Sequence, residues 1–318
     1  MNDVQHLLFT EVFGNRILFS EPLATYTTFK IGGPADIFFD AKTSDELVKI
    51  IRIAQKNSIP YTILGGGTNV LIGDKGVRGL VIKNSSSNIL LRGLTGASQH
   101  GIQAKTVFVE ADSGVMMNRL VRYTLDEGLA GFEMHLGLPG SVGGAIFMNS
   151  KWMHPEGYVG DAVYQAELLT PDGDLRIVDR DYLQFGYDTS SLQKTKDVVT
   201  KITFALHADS KERLWEIANG SIGYRRTSQP QGIRSAGCTF QNIMGEKKIS
   251  AGYLIDEAGL KGLKIGGAEI SAIHANFIAN TGGASAADVL QLIQKAKAAV
   301  KAKFGIDLIE EIEYLGEF

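Results

Sequence analysis

Tyr61-Thr62-Ile63-Leu64-Gly65-Gly66-Gly67-Thr68-Asn69-Val70-Leu71-Ile72 sets three consecutive glycines between two apolar runs. Tyr61 to Leu64 reads as a buried strand, and the apolar run resumes at Val70. A doubly wound dinucleotide fold would need G-x-G-x-x-G opening a helix, and this segment has neither that spacing nor a helical pattern behind it. The glycines instead permit either a tight turn or a close approach of backbone amides to a ligand.

A second cluster favours the ligand. Gly137-Leu138-Pro139-Gly140-Ser141-Val142-Gly143-Gly144-Ala145 carries Gly137, Gly140, Gly143 and Gly144 within a few residues, with Pro139 fixing one backbone angle between them. Successive amides without Cβ atoms can face one concavity and hold an anion such as a diphosphate. Either loop alone is compatible with a tight turn, but two together can clasp a dinucleotide.

Around these loops the periodicities alternate between helix and strand. Thr43 and Glu46 have capping-box spacing, and Leu47, Ile50, Ile51 and Ala54 fall on one face, so a helix is expected over 44–57. Strands are expected over 79–83, 106–110 and 198–206. A hairpin is expected where Val163–Thr170 and Leu175–Asp179 flank Pro171-Asp172-Gly173-Asp174. A helix over 115–127 closes at Gly128, and another follows Ser285 with Val289, Leu292, Ile293, Ala296 and Val300 in one stripe, closing at Gly305. This is an α+β pattern. The polar stretch Ala208-Asp209-Ser210-Lys211-Glu212 reads as a seam between units.

The 318 residues are too many for one ordinary core, and their net charge of -3 gives no electrostatic footprint for nucleic acid. Glycine, at 37 residues, is well above the average usage of about 7%. The start, Met1-Asn2-Asp3-Val4-Gln5-His6, lacks a basic region followed by an apolar run, and no stretch approaches the roughly 18 apolar residues of a membrane helix. A cytoplasmic location without membrane insertion is therefore expected, and nothing points to a protein partner. The six histidines are scattered, so no metal site is expected. The single Cys238, within Ser235-Ala236-Gly237-Cys238-Thr239-Phe240-Gln241-Asn242, excludes an internal disulfide. It reads either as a small buried hydrophobe or as a proton donor, since an unperturbed thiol with pKa about 8.5 is mostly protonated at neutral pH. Glu310, Glu311 and Glu313 near the carboxyl end read by default as solvated charge on a terminal strand.

In order, Tyr26-Thr27-Thr28-Phe29-Lys30-Ile31-Gly32-Gly33-Pro34-Ala35, the two glycine loops through Asn149, Ser235–Asn242, Ala251–Gly262, His274–Asn280 and the Glu311-Ile312 pair resemble the UDP-N-acetylenolpyruvoylglucosamine reductases. The likeness spans nearly the whole chain. The short segment between Ser191 and Arg225 leaves little room for the extra unit of the family's first type, so the chain is similar to the second type. The resemblance implies a vanillyl-alcohol-oxidase-type FAD-binding fold of two subdomains, 1–83 rejoined by 306–318 and 84–207, with an α+β substrate-binding domain over 208–305.

It also implies NADPH as hydride donor, noncovalent FAD as carrier, and reduction of an enolpyruvyl UDP-sugar in peptidoglycan precursor synthesis. Gly65, Gly66, Gly67, Thr68, Asn69, Gly137, Pro139, Gly140, Ser141, Gly143 and Gly144 would hold the cofactor. Arg226, Gln229, Arg234 and Asn242 would contact the substrate. Cys238 stands where the family motif has a serine proton donor, and Glu311 matches a catalytic glutamate.

A second departure concerns Phe185-Gly186-Tyr187-Asp188-Thr189-Ser190, where Asp188 replaces an arginine understood to stabilise the intermediate. An ionised aspartate about 4 Å from a substrate carboxylate would cost roughly 4 kcal/mol at an effective dielectric near 20, about a thousandfold in rate. Asp188 is therefore expected to point away or to be neutralised by a basic partner. Arg234 is the first candidate for the replacement cation and Lys151 the second. Two rivals stay open: a flavin oxidase or dehydrogenase of the same fold with tethered FAD, and a binding protein that has lost catalysis.

Overall fold

In the computed structural model, which describes residues 3–99, 102–245 and 248–318, the helix expected after Thr43 runs Ser44–Lys56. The Thr43 hydroxyl accepts from the Glu46 amide at 3.1 Å, and the Glu46 carboxylate accepts from the Lys42 amide at 2.8 Å, one residue before the capping-box position. Met1, Asn2 and His100, read above from sequence, lie outside the described residues.

The chain resolves into two compact units, one formed by residues up to Phe39, Gly67–Val81 and Arg226–Phe318, the other by Asp40–Gly66 and Ile82–Arg225. The second unit is built on an antiparallel sheet in the order Leu175–Asp179, Val163–Leu169, Val198–Ala208, Ile102–Asp112, Ile89–Gln99, with Leu129–Ala130 also paired to Val198–Ala208. The expected hairpin closes with the Thr170 amide donating to the Asp174 carbonyl at 2.9 Å. Helix Met117–Asp126 presses Leu120, Val121 and Leu125 into the core beside Val109, Ile202 and Phe204, and Gly128 ends it at φ +69°.

The first unit pairs Ile17–Pro22 antiparallel with Pro34–Ala41, in register from Ile17 opposite Phe39 to Pro22 opposite Pro34. Its core centres on helix Ala286–Phe304, whose residues Val289, Leu292, Ile293, Ala296 and Val300 are all buried. Removing one such leucine side chain typically costs about 2–5 kcal/mol. Ser285 and Asp288 form the full capping box, and Asp74 places a carboxylate against the same helix end, accepting from the amides of Ala286 and Ala287 at 2.8 and 3.1 Å. Val70–Ile72 and Glu313–Leu315 pair in parallel, with Glu313 opposite Val70.

Two helices carry weak signals in sequence. Lys211–Ser228, which follows the polar stretch, contributes Leu214 and Ala218 to the second unit's core; Gly220 and Gly223 thin out its pattern. The other is Val142–Met148, running straight out of the second glycine cluster with Ser141 as its N-cap. Gly143 and Gly144 each cost about 1 kcal/mol of helix propensity, yet tertiary contacts override it. The Gly143 amide donates to the Ser113 carbonyl at 2.7 Å, and a Cβ at Gly143 would lie 3.0 Å from Ser113 Cβ. Among the described residues no helix is long and apolar enough to cross a membrane, and no three His, Cys, Asp or Glu side chains are grouped to hold a metal.

Candidate active site

The strand Tyr61–Leu64 ends at the first glycine loop, which runs into Val70–Ile72 rather than into a helix. Gly65 and Gly66 lie directly on the second loop. A Cβ at Gly66 would stand 2.6 Å from the Gly140 Cα, and one at Gly65 would stand 2.3 Å from the Ser141 hydroxyl oxygen. The two clusters thus meet at distances that admit no side chain. Gly140 has φ +102°, a conformation that glycine alone takes readily.

The second loop is fastened from one side. The Met117 amide donates to the Gly140 carbonyl at 2.9 Å, the Val142 amide to the Val115 carbonyl at 2.8 Å, and the Gly137 amide to the Asn118 side chain at 2.7 Å. Ser141 Oγ accepts from the Gly144 amide at 3.4 Å, while Pro139 is exposed. None of these bonds engages the amides of Gly140 and Ser141, which sit where Gly65 and Gly66 approach. A cradle that a single Cβ would fill suits a diphosphate held by main-chain N–H groups.

Lys83 was not singled out from sequence. Its ammonium donates to the Gly65 carbonyl at 2.6 Å, and burial pulls it below the usual lysine value against the opposing effect of Asp40. The arrangement ties one carbonyl of the cradle to a positive charge. Its place near the end of strand Val77–Asn84, just after the buried run Leu80-Val81-Ile82, disguised this role, since a half-buried lysine at the end of an apolar run looks like an ordinary outward position.

The rest of the first loop, Gly67, Thr68 and Asn69, belongs to the unit that carries Cys238 and Glu311. Thr28 joins two parts of that unit: its amide donates to the Gly67 carbonyl at 2.9 Å and its hydroxyl to the Ser235 carbonyl at 2.7 Å. Cys238 is half-buried and bridges Phe277. The Thr239 amide donates to the Asn276 carbonyl at 2.7 Å, while the Glu311 amide donates to the Thr239 carbonyl at 2.8 Å. Cys238–Gln241 is thereby laced between 276–277 and 309–311. Asn69 meets the same ladder, donating from its side chain to the Glu311 carbonyl at 3.1 Å and accepting from the Glu313 amide at 2.9 Å.

The terminal glutamates are not one solvated group. Both Glu310 oxygens take the Lys297 ammonium, at 2.9 and 3.1 Å. Glu311, half-buried, is held beside the Cys238 segment. Of the expected substrate contacts, Asn242 accepts from the Ala251 amide at 3.1 Å at the start of helix Ala251–Glu257. Arg226 is exposed near the end of helix Lys211–Ser228, and the Gln229 carbonyl accepts from the Gln231 side chain at 3.1 Å. Arg234 has an exposed side chain and receives the Asn280 amide on its carbonyl at 2.8 Å.

Asp188 is buried and neutralised: the Lys151 ammonium is its hydrogen-bonded partner, with side-chain exposures of 11% for Lys151 and 3% for Asp188. Lys151 is the cation that meets it. His135, just before the second loop, is 1% exposed, and burial, with a smaller contribution from Arg225, lowers its pKa to about 4.

A match to the FAD binding domain over residues 35–179 makes the chain a flavin-binding protein with an α+β FAD-binding fold. Residues 229–315 match the C-terminal domain of UDP-N-acetylenolpyruvoylglucosamine reductase. The reductase of that name from Alkaliphilus oremlandii is 38% identical over 301 residues, covering 95% of this chain and 94% of its own length. That from Bacillus subtilis is 36% identical over 314 residues, 98% of each. A crystal structure of the Thermus caldophilus reductase superposes with a TM-score of 0.75 at 34% identity, covering 94% of this chain and 98% of that one. The chain belongs to the UDP-N-acetylenolpyruvoylglucosamine reductase family.

Proposed function

We propose that this protein is an FAD-containing oxidoreductase that uses NADPH to reduce UDP-N-acetylglucosamine enolpyruvate to UDP-N-acetylmuramate, a step of peptidoglycan precursor synthesis. Likeness to the reductases along nearly the full chain supports the reaction. The observation that carries the assignment of its centre is the hydrogen bond from the Glu311 amide to the Thr239 carbonyl, which joins the backbone segments bearing Cys238 and Glu311, distant in sequence, into one ladder.

The flavin, when bound, carries a hydride from NADPH to the methylene carbon of the enolpyruvyl group. The chain's own residues then have three tasks. Gly65, Gly66, Gly140 and Ser141 hold the diphosphate with main-chain groups, with Gly67, Thr68, Asn69, Gly137, Pro139, Gly143 and Gly144 shaping the loops. The Cys238 thiol gives its proton to the carbon bearing the carboxylate, completing addition of H⁻ and H⁺ across the double bond, and Glu311 is the second proton-bearing group at that centre. Arg226, Gln229, Arg234 and Asn242 contact the UDP-sugar. Activity in the cytoplasm, without a protein partner, fits a chain that acts on a nucleotide sugar.

The test is NADPH oxidation by the flavin-loaded protein. Consumption that depends on the enolpyruvyl UDP-sugar, with one equivalent of the lactyl ether product per NADPH, is expected. Oxidation indifferent to that sugar would return the chain to the flavin oxidase reading.

A further inference from the structure

The Lys151–Asp188 pair is an expensive piece of structure. Burying two ions costs several kcal/mol each before their attraction is counted, and apolar residues of similar size commonly stabilise a core as well or better. Asp188 also sits at φ +54°, a left-handed conformation uncommon for residues with a Cβ. The surroundings hold this arrangement in place. Gln193 donates from its side chain to the Asp188 carbonyl at 3.1 Å, and Gly186 and Thr189 bridge across the turn. Asn149 donates to the Gly186 carbonyl at 2.9 Å and accepts from the Gly160 amide at 3.1 Å.

The same residues tie the pair to the second glycine loop. Helix Val142–Met148 leaves that loop and ends at Asn149, itself left-handed at φ +46°, and Lys151 follows at the start of a hairpin in which it pairs with Tyr158. The Lys151 ammonium lies 4.1 Å from the centre of the Tyr187 ring. A carboxylate on one side and an aromatic face on the other fix its direction more firmly than a lysine on an open surface. Strained, buried charge held by several hydrogen bonds is characteristic of a site rather than of a core.

Resting on the function proposed above, we infer that Lys151 supplies the cation that binds the carboxylate of the enolpyruvyl group and the negative charge that grows on it after hydride addition, with Asp188 as the residue that positions the ammonium. Asp188 then does not repel the substrate. It holds in place the charge that answers the substrate.

The decisive variants are Lys151→Met with Asp188→Asn, which removes both charges and leaves no buried ion, and Lys151→Arg. Thermal midpoint and flavin spectrum report the fold. In the double variant, reduction of the flavin by NADPH is expected to stay within about twofold of wild type, while reoxidation by the enolpyruvyl UDP-sugar falls by roughly a hundredfold or more. Binding separates the carboxylate from the rest of the ligand: affinity of the oxidised protein for the enolpyruvyl sugar should fall about tenfold, while affinity for UDP-N-acetylglucosamine, which lacks the carboxylate, stays unchanged. Lys151→Arg should recover most of both losses. Equal weakening of both sugars, or reoxidation at the wild-type rate in a folded double variant, overturns the assignment. Wild-type protein whose reduced flavin ignores the enolpyruvyl sugar overturns the proposed function itself, a result distinct from either.

Discussion

The Glu311 amide donates to the Thr239 carbonyl at 2.8 Å, and this bond sets the carboxyl-terminal segment beside Cys238. Glu310, one residue earlier, is bound by Lys297 through both oxygens. Neighbouring glutamates therefore have different tasks, one tying the terminus to helix Ala286–Phe304 and the other standing at the proposed proton-transfer centre.

If Cys238 is the proton donor, its removal acts on one half of the reaction. In Cys238→Ala, NADPH should still bleach the flavin at the native rate, and reoxidation by the enolpyruvyl sugar should slow by roughly two orders of magnitude or more. Cys238→Ser should retain substantial activity because a hydroxyl can also donate. Stopped-flow absorbance of the flavin separates the two steps. Native reoxidation in the alanine variant would make Cys238 a packing residue.

The cradle is sensitive to a single methyl. Gly66→Ala sets a Cβ 2.6 Å from the Gly140 Cα, and backbone cannot yield as a flexible side chain would. Forcing the loops apart should cost about 1–3 kcal/mol of overpacking and weaken FAD by at least tenfold. Gly140→Asp adds a negative charge beside the proposed diphosphate site at φ +102° and should be worse. Titration of apoprotein with FAD, read by flavin fluorescence, checks both; native affinity in either would reduce the second loop to a turn.

Lys83→Met removes the cation from the Gly65 carbonyl. A charge-assisted hydrogen bond contributes about 1.5–3 kcal/mol, so FAD dissociation should rise roughly 10- to 100-fold, with partial recovery in Lys83→Arg. The same titration applies, and unchanged affinity in Lys83→Met would show that the loop keeps its shape unaided.

His135 makes stability depend on pH. Its pKa is lowered to about 4 in the fold by burial first and Arg225 second. The unfolded chain, with an ordinary histidine near 6.5, then binds a proton that the folded chain refuses. Its stabilising contribution is complete above about pH 6.5 and lost as pH falls toward about 4, a change of about 3 kcal/mol at most. Urea unfolding between pH 7 and 4.5 should show a shallower loss in His135→Gln than in wild type. Parallel curves would mean that the ring finds a partner for its proton on acidification.

Much of this protein is legible in its residues taken in order. Helix Ser44–Lys56, the hairpin at Pro171–Asp174 and helix Ala286–Phe304 follow from caps, turn residues and periodicity, because each of those signals is local and its physics is complete within a few residues. The glycine clusters announce where backbone must come close to something. What they approach was decided by the tertiary structure, which sets Gly66 against Gly140 and brings Lys83 to the Gly65 carbonyl. Long-range pairing also made a helix of Gly143 and Gly144 against their propensity and tied the backbone of one of three crowded glutamates to the segment that carries Cys238. Asp188 shows the division most clearly. From the sequence alone it is a misplaced negative charge, and whether that charge repels or organises depends on which cation folds onto it, a matter of distance and burial that no local pattern encodes.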